Sequence, residues 1–337
     1  MQMGAGMYNH FTIILHRKCT ASCDSCCVQS KPGCQESLDI DKVKKYISSS
    51  IYCESIKSIG ISGGEPFLEY DKVKEIITLI KNTGKKVSLM TNAFWANSYV
   101  EAYEKLSELK KCGLSTIGLS YDSFHSPYIK SENVSNVLYA ANDMELHAGL
   151  NIVISKSHMA GEAIDSLGAA AKEAQVMIFP CQKVGNAASN FEDSEYLRTR
   201  KSTGCYCKKA GGFSVSYDGT ILPCCSPSVF NTALSIGSYE ELDVVSTLDK
   251  LKRNPYLYLL RIYGFDYFIE IAKNKLNINV PEYVVSACEL CALFFNEKNI
   301  KKFDSHIDLE LIKFHGKRGK DFQSFAHQVC AASNMSH

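Results

Sequence analysis

Between Phe11 and about Gln182, short apolar runs alternate with longer stretches in which apolar residues recur every three or four positions. The short runs predict buried strands, and the longer spacing predicts amphipathic helices. Their alternation is typical of parallel strands joined by helices. Six strands are predicted, at Thr12 to His16, Ser58 to Ser62, Val87 to Thr91, Thr116 to Ser120, Asn151 to Ser155 and Val176 to Pro180.

Helices are predicted between these strands, for example at Asp41 to Ser48 and Tyr70 to Lys81. Gly84, Gly113 and Gly149 stand where helix C-caps are expected. Six strand–helix units predict an α/β fold, a partial (β/α)6 barrel similar to a TIM barrel. Sites in such barrels lie at the carboxyl ends of the strands, so residues just after each strand should face one pocket.

The regular alternation stops after Gln182. Ser214 to Cys224 predicts a hairpin, because Asp218-Gly219 is a tight-turn signal between two alternating runs. Helices are expected from Tyr239 to Lys275 and from Ile300 to His337. The expected division is a barrel over residues 7–190, a second domain over 191–300 and a helical tail over 301–337. The regular structure of the second domain is expected to begin near Gly204, and residues 1–6 are left out of the fold.

The composition suits a globular protein and excludes some partners. The 337 residues are 45% hydrophobic with a net charge of +1, so no overall field favours nucleic acid or an anionic membrane. The longest apolar runs fall far short of the roughly 20 residues that span a bilayer. The first residues lack the pattern of a secretion signal, and we expect a cytoplasmic protein without nucleic-acid or membrane partners.

Fifteen cysteines are many for this length, and a cytoplasmic setting disfavours disulfides. Most stand in tight groups, which is typical of metal ligands. The groups are Cys19/Cys23/Cys26/Cys27, Cys205/Cys207, Cys224/Cys225 and Cys288/Cys291. The isolated ones are expected to be small buried hydrophobic residues: Cys34, Cys53, Cys112, Cys181 and Cys330.

The first group follows the first predicted strand as a CxxxCxxC loop, with Cys19, Cys23 and Cys26. Three thiolates on one loop can hold three irons of a four-iron cluster and leave the fourth open to a ligand. A zinc site or a redox dithiol are the alternatives. Zinc would need a fourth tight ligand, for which the adjacent Cys27 is poorly directed, and a dithiol would not need the third cysteine.

The second predicted strand is followed by Gly63-Gly64-Glu65-Pro66, which should lie beside the cysteine loop. The glycines would let the backbone approach a ligand, and the Glu65 carboxylate could accept hydrogen bonds from a cationic amino group.

In the order and content of these two motifs, residues 12–182 resemble the radical SAM superfamily. The resemblance implies that Cys19, Cys23 and Cys26 hold a 4Fe-4S cluster whose open iron binds S-adenosylmethionine (SAM). One-electron cleavage of SAM then gives a 5'-deoxyadenosyl radical that removes hydrogen from unactivated C–H bonds. It also implies an external electron donor such as flavodoxin or ferredoxin.

Other polar residues at predicted strand ends are candidate SAM contacts, although each is more often a local cap or turn former. They are Asn92 beside Thr91, Ser120, Asp122, Ser155 beside Lys156, and Phe179 with Pro180. Val184 to Ala187 resembles the family's adenine-side segment, with Asn186 where arginine is commoner. Ser25 stands where the family often has an aromatic residue.

A second group combines Cys207, eleven residues, Gly219, four residues, Cys224 and then Cys288-Glu-Leu-Cys291. Four thiolates suffice to hold a cluster, and the hairpin turn would bring Cys207 and Cys224 together. The constellation resembles the twitch form of the SPASM domain in peptide-modifying radical SAM enzymes, which implies one auxiliary 4Fe-4S cluster. The family spacing selects Cys207 over Cys205; structural zinc is the alternative.

Cys225 adjoins one of these ligands and exceeds the four that are needed. It is either a packing residue or a hydrogen donor. A thiol across the substrate from the deoxyadenosyl group could return hydrogen to the opposite face of a carbon radical, which would invert a stereocentre. The chain therefore resembles the radical SAM epimerases of ribosomally made precursor peptides, with Cys225 as catalytic residue.

Two other functions stay open. One is peptide cross-linking through thioether or C–C bonds, which would not need Cys225. The other is an iron–sulfur electron carrier or sensor, which would not need the SAM motifs. No winged-helix domain for leader-peptide recognition is evident. The aromatic segment Tyr256 to Phe268 is a candidate peptide groove, although such a stripe is more often core.

Overall fold

The computed structural model describes residues 8–207 and 211–316, without the side chains of 313–316. Six parallel strands and their helices build the first part. The strands are β1 (His10–Ile14), β2 (Ser58–Ser62), β3 (Lys86–Thr91), β4 (Thr116–Ser120), β5 (His147–Ile154) and β6 (Gln175–Pro180). The helices are α1 (Ile40–Ser49), α2 (Tyr70–Ile80), α3 (Tyr99–Cys112), α4 (Ser131–Asp143), α5 (Ala160–Leu167) and the short α6 (Gly185–Asn190).

The remaining elements follow α6. The strands are β7 (Arg200–Lys201), β8 (Gly212–Val215), β9 (Thr220–Leu222), β10 (Gly237–Ser238) and β11 (Tyr283–Val284). The helices are α7 (Val244–Arg253), α8 (Pro255–Asn274), α9 (Ala287–Phe294) and α10 (Asp304–Gly316). Short 3-10 turns lie at Pro66–Glu69, Gly168–Glu173, Asp193–Glu195, Pro227–Asn231 and Ile300–Phe303.

Within the described ranges, one sheet has the strand order β10-β9-β8-β1-β2-β3-β4-β5-β6. β1 to β6 are parallel neighbours in chain order, which confirms the predicted α/β fold. β8 also pairs in parallel with β1, and β9 and β10 continue antiparallel. The predicted hairpin is therefore an extension of the barrel sheet beside β1, and not a detached unit.

Side chains alternate across these strands. Ile59 and Ile61 of β2 are fully buried beneath the helices, whereas Gly60 between them points to the other face, where its nearest neighbour is the Thr12 hydroxyl. A parallel sheet covered on both faces would carry continuous apolar runs. The inner face here instead carries the polar side chains of Thr12 and Ser88 beside Gly60.

Local signals explain most helix boundaries. Asp39 caps α1 by accepting from the backbone N–H groups of Asp41 and Lys42. Gly113 ends α3 in the left-handed conformation, as predicted. Gly149, however, lies inside β5, so its prediction as a helix cap is wrong: β5 begins at His147, four residues before the expected start.

The segment Tyr256 to Phe268 lies in α8 and packs mainly into the core. Phe268 is fully buried and its ring lies 5.0 Å from Phe295 and 5.7 Å from Phe303. This confirms the core interpretation of the aromatic stripe over the groove. Among the isolated cysteines, Cys34 and Cys181 are buried and Cys53 and Cys112 are partly buried. Cys330 lies outside the described residues.

No helix in the described ranges combines the length and apolar character that a membrane crossing requires.

Replacing Phe268 by alanine should destabilise the fold by about 3–5 kcal/mol, because it empties a buried aromatic site. Urea unfolding of the cluster-loaded protein under anaerobic conditions would measure the change in midpoint. Tyr52→Ala is the control, since Tyr52 is 94% exposed and should change stability by less than about 0.5 kcal/mol. Equal midpoints for the two variants would contradict the packing described here.

Candidate active site

A cavity of about 210 Å³ lies at the carboxyl ends of the barrel strands, where the first cysteine loop meets the GGEP loop. It is lined by Cys19, Cys23, Cys26, Cys27, Gly63, Gly64, Met90, Thr91, Asn92, Ser120, His125 and Val153, among others. A larger surface hollow of about 400 Å³ near α1 and α7 has no cysteine in its lining and lies away from this chemistry.

Gly64 holds the two loops together. Its N–H donates to the carbonyl of His16 at 2.6 Å, and the next N–H, of Glu65, donates to that of Lys18 at 2.8 Å. A Cβ at position 64 would lie 2.0 Å from the Lys18 carbonyl oxygen. Glycine is thus required here so that the GGEP loop can lie directly on the chain leading into the cysteine loop.

Glu65 does not face the cavity in the way that the sequence suggested. Its carboxylate is fully buried and accepts from the Thr91 hydroxyl at 2.7 Å, the Asn92 N–H at 2.7 Å and the Phe67 N–H at 3.0 Å. Burial raises the pKa of Glu65 to about 7. The carboxylate therefore joins the GGEP loop to the end of β3. Pro66 is also buried and begins the turn that follows.

Two of the other residues that were predicted to contact SAM line the cavity. Ser120 ends β4 there, and Asn92 follows β3. The Asn92 amide nitrogen lies 3.2 Å from the Thr20 hydroxyl and 3.7 Å from the Cys19 sulfur. These two side chains sit beside the first cysteine loop, as expected for strand-end residues.

Three other residues that were predicted to contact SAM do not line this cavity. Asp122 is buried and accepts from the backbone N–H groups of Phe124 and Val153. The Ser155 hydroxyl donates to Glu195 at 2.5 Å. Phe179 lies on β6, the edge strand of the sheet, with 36% of its surface exposed. Asp122 is thus engaged by a local turn bond from Phe124 and by the distant Val153, and Ser155 is engaged by the distant Glu195.

His125 is a cavity residue that the sequence patterns did not reveal. Its Nδ1 lies 2.7 Å from Asp122, and its ring also hydrogen-bonds the Cys23 side chain. The Asp122 carboxylate raises the pKa of His125 well above its usual value, against the opposing effect of burial. Asp122 therefore fixes a histidine against the cysteine loop. The histidine lies on the loop after β4, where strand and helix periodicity carry no information.

The apolar cover of the loop comes from distant residues. Phe124 and Ala21 form a small buried cluster with Cys23, and Phe191 packs against it, with its ring 5.4 Å from that of Phe124. These rings supply the apolar cover that Ser25 cannot.

The segment that begins α6 holds the loop from the other side. The Asn186 side chain donates to the Cys23 carbonyl at 2.9 Å, and its backbone N–H donates to the Cys26 carbonyl at 3.0 Å. Asn190 donates to Asp24 at 2.7 Å. In this structure Asn186 therefore positions the cysteine loop.

The second cysteine group also comes together. Cys207, Cys224, Cys288 and Cys291 lie within one another's electrostatic reach, and Cys288 accepts a hydrogen bond from the Ser226 hydroxyl at 3.0 Å. Cys205 behaves differently: it is 1% exposed in the core and its thiol bonds the Lys201 carbonyl at 3.2 Å. The structure thus places Cys207, and not Cys205, with the other three cysteines, and its role as a metal ligand stays a prediction.

The thiols of both groups are partly or fully buried. In the described part of the chain, no three histidine, cysteine or acidic side chains converge tightly enough to bind one metal ion. Burial raises the pKa of Cys19 and of Cys224 to about 12. Because iron binds the thiolate, these sites need the positive charge of a metal to become deprotonated.

The strand register separates the two groups. Leu222 lies opposite Ser214, so Cys224 comes level with Gly212, and Gly212 pairs with His10 at the start of β1. Cys19 follows the other end of β1. At 3.3 Å per residue, β1 alone spans about 13 Å. The two cysteine groups therefore lie at opposite ends of the same strand.

Cys225 lies at the end marked by His10. Its exposed thiol donates to the Phe213 carbonyl at 3.1 Å, and its sulfur is 3.9 Å from Nε2 of His10. Nδ1 of His10 is 3.0 Å from the Asn9 side-chain oxygen.

Comparison with known proteins agrees with this architecture. Residues 13–143 match the profile of the Radical SAM superfamily. This match and the site define a radical SAM domain within residues 13–143. That family uses SAM and a 4Fe-4S cluster, and the three cysteines Cys19, Cys23 and Cys26 that line the cavity suit that cluster.

Particular relatives extend the similarity beyond the barrel. The chain is 29% identical over 300 residues to YydG of Bacillus subtilis, whose name places it in peptide biosynthesis; the match covers 86% of this chain and 93% of YydG. The GTP 3',8-cyclase of Listeria monocytogenes is 26% identical over 156 residues, or 42% of this chain and 44% of that enzyme.

Among solved structures, SuiB of Streptococcus suis bound to its precursor peptide SuiA has the same fold. Its TM-score is 0.55 at 14% identity, with 77% of this chain and 67% of that chain covered.

Gly64→Ala should destabilise the protein by about 1–3 kcal/mol and reduce iron retention at the first loop, because the new methyl group overlaps the Lys18 carbonyl. Urea unfolding and iron analysis after anaerobic reconstitution would measure both. Gly161→Ala is the control, since a Cβ there meets nothing within 4 Å. Unchanged iron retention and stability in Gly64→Ala would refute the role of this close contact.

Cys207→Ser should lower the iron content from about eight to about four per chain, since each 4Fe-4S cluster holds four irons. Cys205→Ser should keep about eight, because that thiol lies in the core. Colorimetric iron analysis of anaerobically reconstituted protein gives the numbers. Loss of four irons in Cys205→Ser alone would reverse the assignment.

Proposed function

We propose that this protein is a radical SAM enzyme that converts L-residues to D-residues in a ribosomally synthesised peptide. The position of Cys225 is the observation that carries the proposal. Its exposed thiol lies at the end of β1 opposite the first cysteine loop, and the inner face of the strands, with Thr12 and Ser88, lies between them. A peptide there would meet the radical source on one face and the thiol on the other.

The similarity to other proteins supports a peptide as substrate. YydG, which this chain matches over nearly its whole length, is named for peptide biosynthesis. SuiB binds a precursor peptide on the same fold. We therefore extend the substrate class, but no particular sequence, to this protein.

In this proposal Cys19, Cys23 and Cys26 hold the catalytic cluster, and Gly63, Gly64, Asn92 and Ser120 line the SAM site. When reduced, the cluster supplies the electron that cleaves SAM, and the resulting 5'-deoxyadenosyl radical takes the α-hydrogen of an L-residue. His125 and Asn186 keep the cysteine loop in place, and Phe124 and Phe191 exclude water from it.

Cys225 then gives its hydrogen atom to the opposite face of the planar α-carbon radical, which produces the D-residue and a thiyl radical. One electron and one proton restore the thiol. We assign Cys207, Cys224, Cys288 and Cys291 to an auxiliary 4Fe-4S cluster placed to supply that electron, since Cys224 is adjacent to Cys225. An external flavodoxin or ferredoxin in the cytoplasm would reduce the enzyme.

The division into a barrel over residues 7–190, an auxiliary-cluster domain over 191–300 and a tail over 301–337 belongs to the same proposal. Peptide cross-linking is the second candidate, favoured by the four-cysteine group, because an auxiliary cluster could accept the electron left over from bond formation. That reaction has no need of Cys225.

The reconstituted enzyme should be incubated with SAM, a reductant and the short peptide encoded beside its gene, in deuterated water. We expect a gain of about one dalton for each D-residue, because the exchangeable thiol delivers deuterium. Cys225→Ala should abolish the D-residue while deoxyadenosine still forms, whereas Cys53→Ala should behave as wild type. Mass spectrometry measures the mass change, and chiral amino-acid analysis detects the D-residue.

A loss of about two daltons that survives in Cys225→Ala would establish cross-linking and remove the proposed role of Cys225.

A further inference from the structure

The guanidinium group of Arg261, on α8, has one nitrogen without a hydrogen-bond partner. Its Nη1 is buried and has no hydrogen-bond partner, whereas Nη2 donates to the Tyr8 hydroxyl. The guanidinium carbon lies 5.1 Å from the centre of the Tyr8 ring. A buried cationic N–H without an acceptor costs free energy, so such a group in a native protein is expected to face a missing acceptor.

The surroundings of Arg261 identify that acceptor. Burial lowers the pKa of Arg261, and the two groups whose charges oppose this shift are Tyr8 and Cys207. Tyr8 in turn lies within the field of both Cys207 and Cys224. Arg261 makes no ion pair with an acidic side chain in the described ranges. Among the described residues, the groups that act on the Arg261 charge are therefore Tyr8 and Cys207 of the second cysteine group, which becomes anionic when it binds a metal.

A kink in α8 fixes this placement. Gly264 has a φ of +67°, three residues after Arg261, and a Cβ there would lie 2.7 Å from the Tyr206 ring. Beside the kink, Phe265 donates its N–H to the Cys205 carbonyl at 3.0 Å, and Asp266 accepts from the Gly204 N–H at 2.8 Å. These contacts hold α8 against the chain that leads directly into Cys207.

A bound cluster would itself carry negative charge. Four thiolates around an oxidised 4Fe-4S core leave a net charge of about −2, and reduction adds one more negative charge. A buried charge of this size is stabilised by a nearby cation and by hydrogen bonds to the ligand sulfurs, and both raise the reduction potential.

We propose that Arg261 is the positive charge partner of the auxiliary cluster, with its Nη1–H donating to the Cys207 thiolate. The inference rests on the auxiliary cluster of the proposed function, and it adds a positioning residue that sets how readily this cluster is reduced. Tyr8 holds the guanidinium by its second nitrogen, and the kink at Gly264 holds the helix.

The test is a redox titration of the holoenzyme followed by electron paramagnetic resonance, with Arg261→Met and Arg261→Lys. The methionine keeps the apolar stem without charge, and the lysine keeps the charge. In Arg261→Met we expect the reduced-to-oxidised ratio of the auxiliary cluster, at the wild-type midpoint, to fall at least tenfold, which is about 59 mV for one electron. The midpoint potential of the auxiliary cluster in Arg261→Lys should lie between those of the wild type and Arg261→Met.

The first cluster, at the far end of β1, serves as an internal reference and should keep its potential in every variant. Arg253→Met is the matched control, because that arginine is on neighbouring α7, exposed and paired with Asp249. Iron analysis precedes the titration. If Arg261→Met retains only four irons per chain, the lysine variant decides the question. Eight irons in Arg261→Lys would support a charge role, and loss of four irons in Arg261→Lys would contradict it.

An unchanged auxiliary midpoint in Arg261→Met with eight irons would overturn the proposal, and so would equal midpoints in the methionine and lysine variants. Only four irons per chain in the wild-type protein would contradict the presence of an auxiliary cluster. Epimerisation with Cys225 is tested separately, by the experiment in deuterated water.

Discussion

The structure depends on the pairing of the GGEP loop with the chain that enters the first cysteine loop. Gly64 lies on the Lys18 carbonyl with no room for a side chain, and Glu65, buried beneath, connects the same loop to the end of β3. Through these contacts β1, β2 and β3 present their carboxyl ends at one place. The grouping of the three thiols, the cavity and the contacts of α6 with the cysteine loop all follow from that alignment.

β1 also connects this site to the second one. Its start pairs with β8, and the β8–β9 hairpin returns the chain so that Cys224 and Cys225 lie beside His10. The sheet thus fixes the separation between the two cysteine groups. A rigid separation of this kind suits a reaction in which hydrogen leaves one face of a carbon and arrives at the other.

The fold was largely predictable from sequence because the strands carry their own signals. β2 and β4 were predicted to the residue, and the Asp218-Gly219 hairpin formed as its turn chemistry indicates. The errors have physical causes. β1 was placed two residues late because polar His10 belongs to the strand, and Gly149 reads as a cap although it occupies a strand position facing the barrel interior.

The candidate site was only partly predictable. Cysteine spacing identified the two groups, since ligands on one short loop must lie together. The partners of those groups come from far along the chain: His125 and Phe124 from the loop after β4, Asn186 from α6, and Arg261 from α8. No local pattern marks these residues. Conversely, Asp122 and Ser155 have the sequence signature of ligands because the Val153 N–H and the Glu195 carboxylate that bond to them come from distant parts of the chain.

The central claim is that hydrogen leaves the substrate toward the first cysteine loop and returns from Cys225. A peptide deuterated at the α-carbon of the target residue tests it most directly, with products analysed by mass spectrometry after reaction in ordinary water. The account predicts deuterium in 5'-deoxyadenosine and solvent hydrogen at the α-carbon of the D-residue. Deuterium retained at that α-carbon, with none in deoxyadenosine, would contradict it.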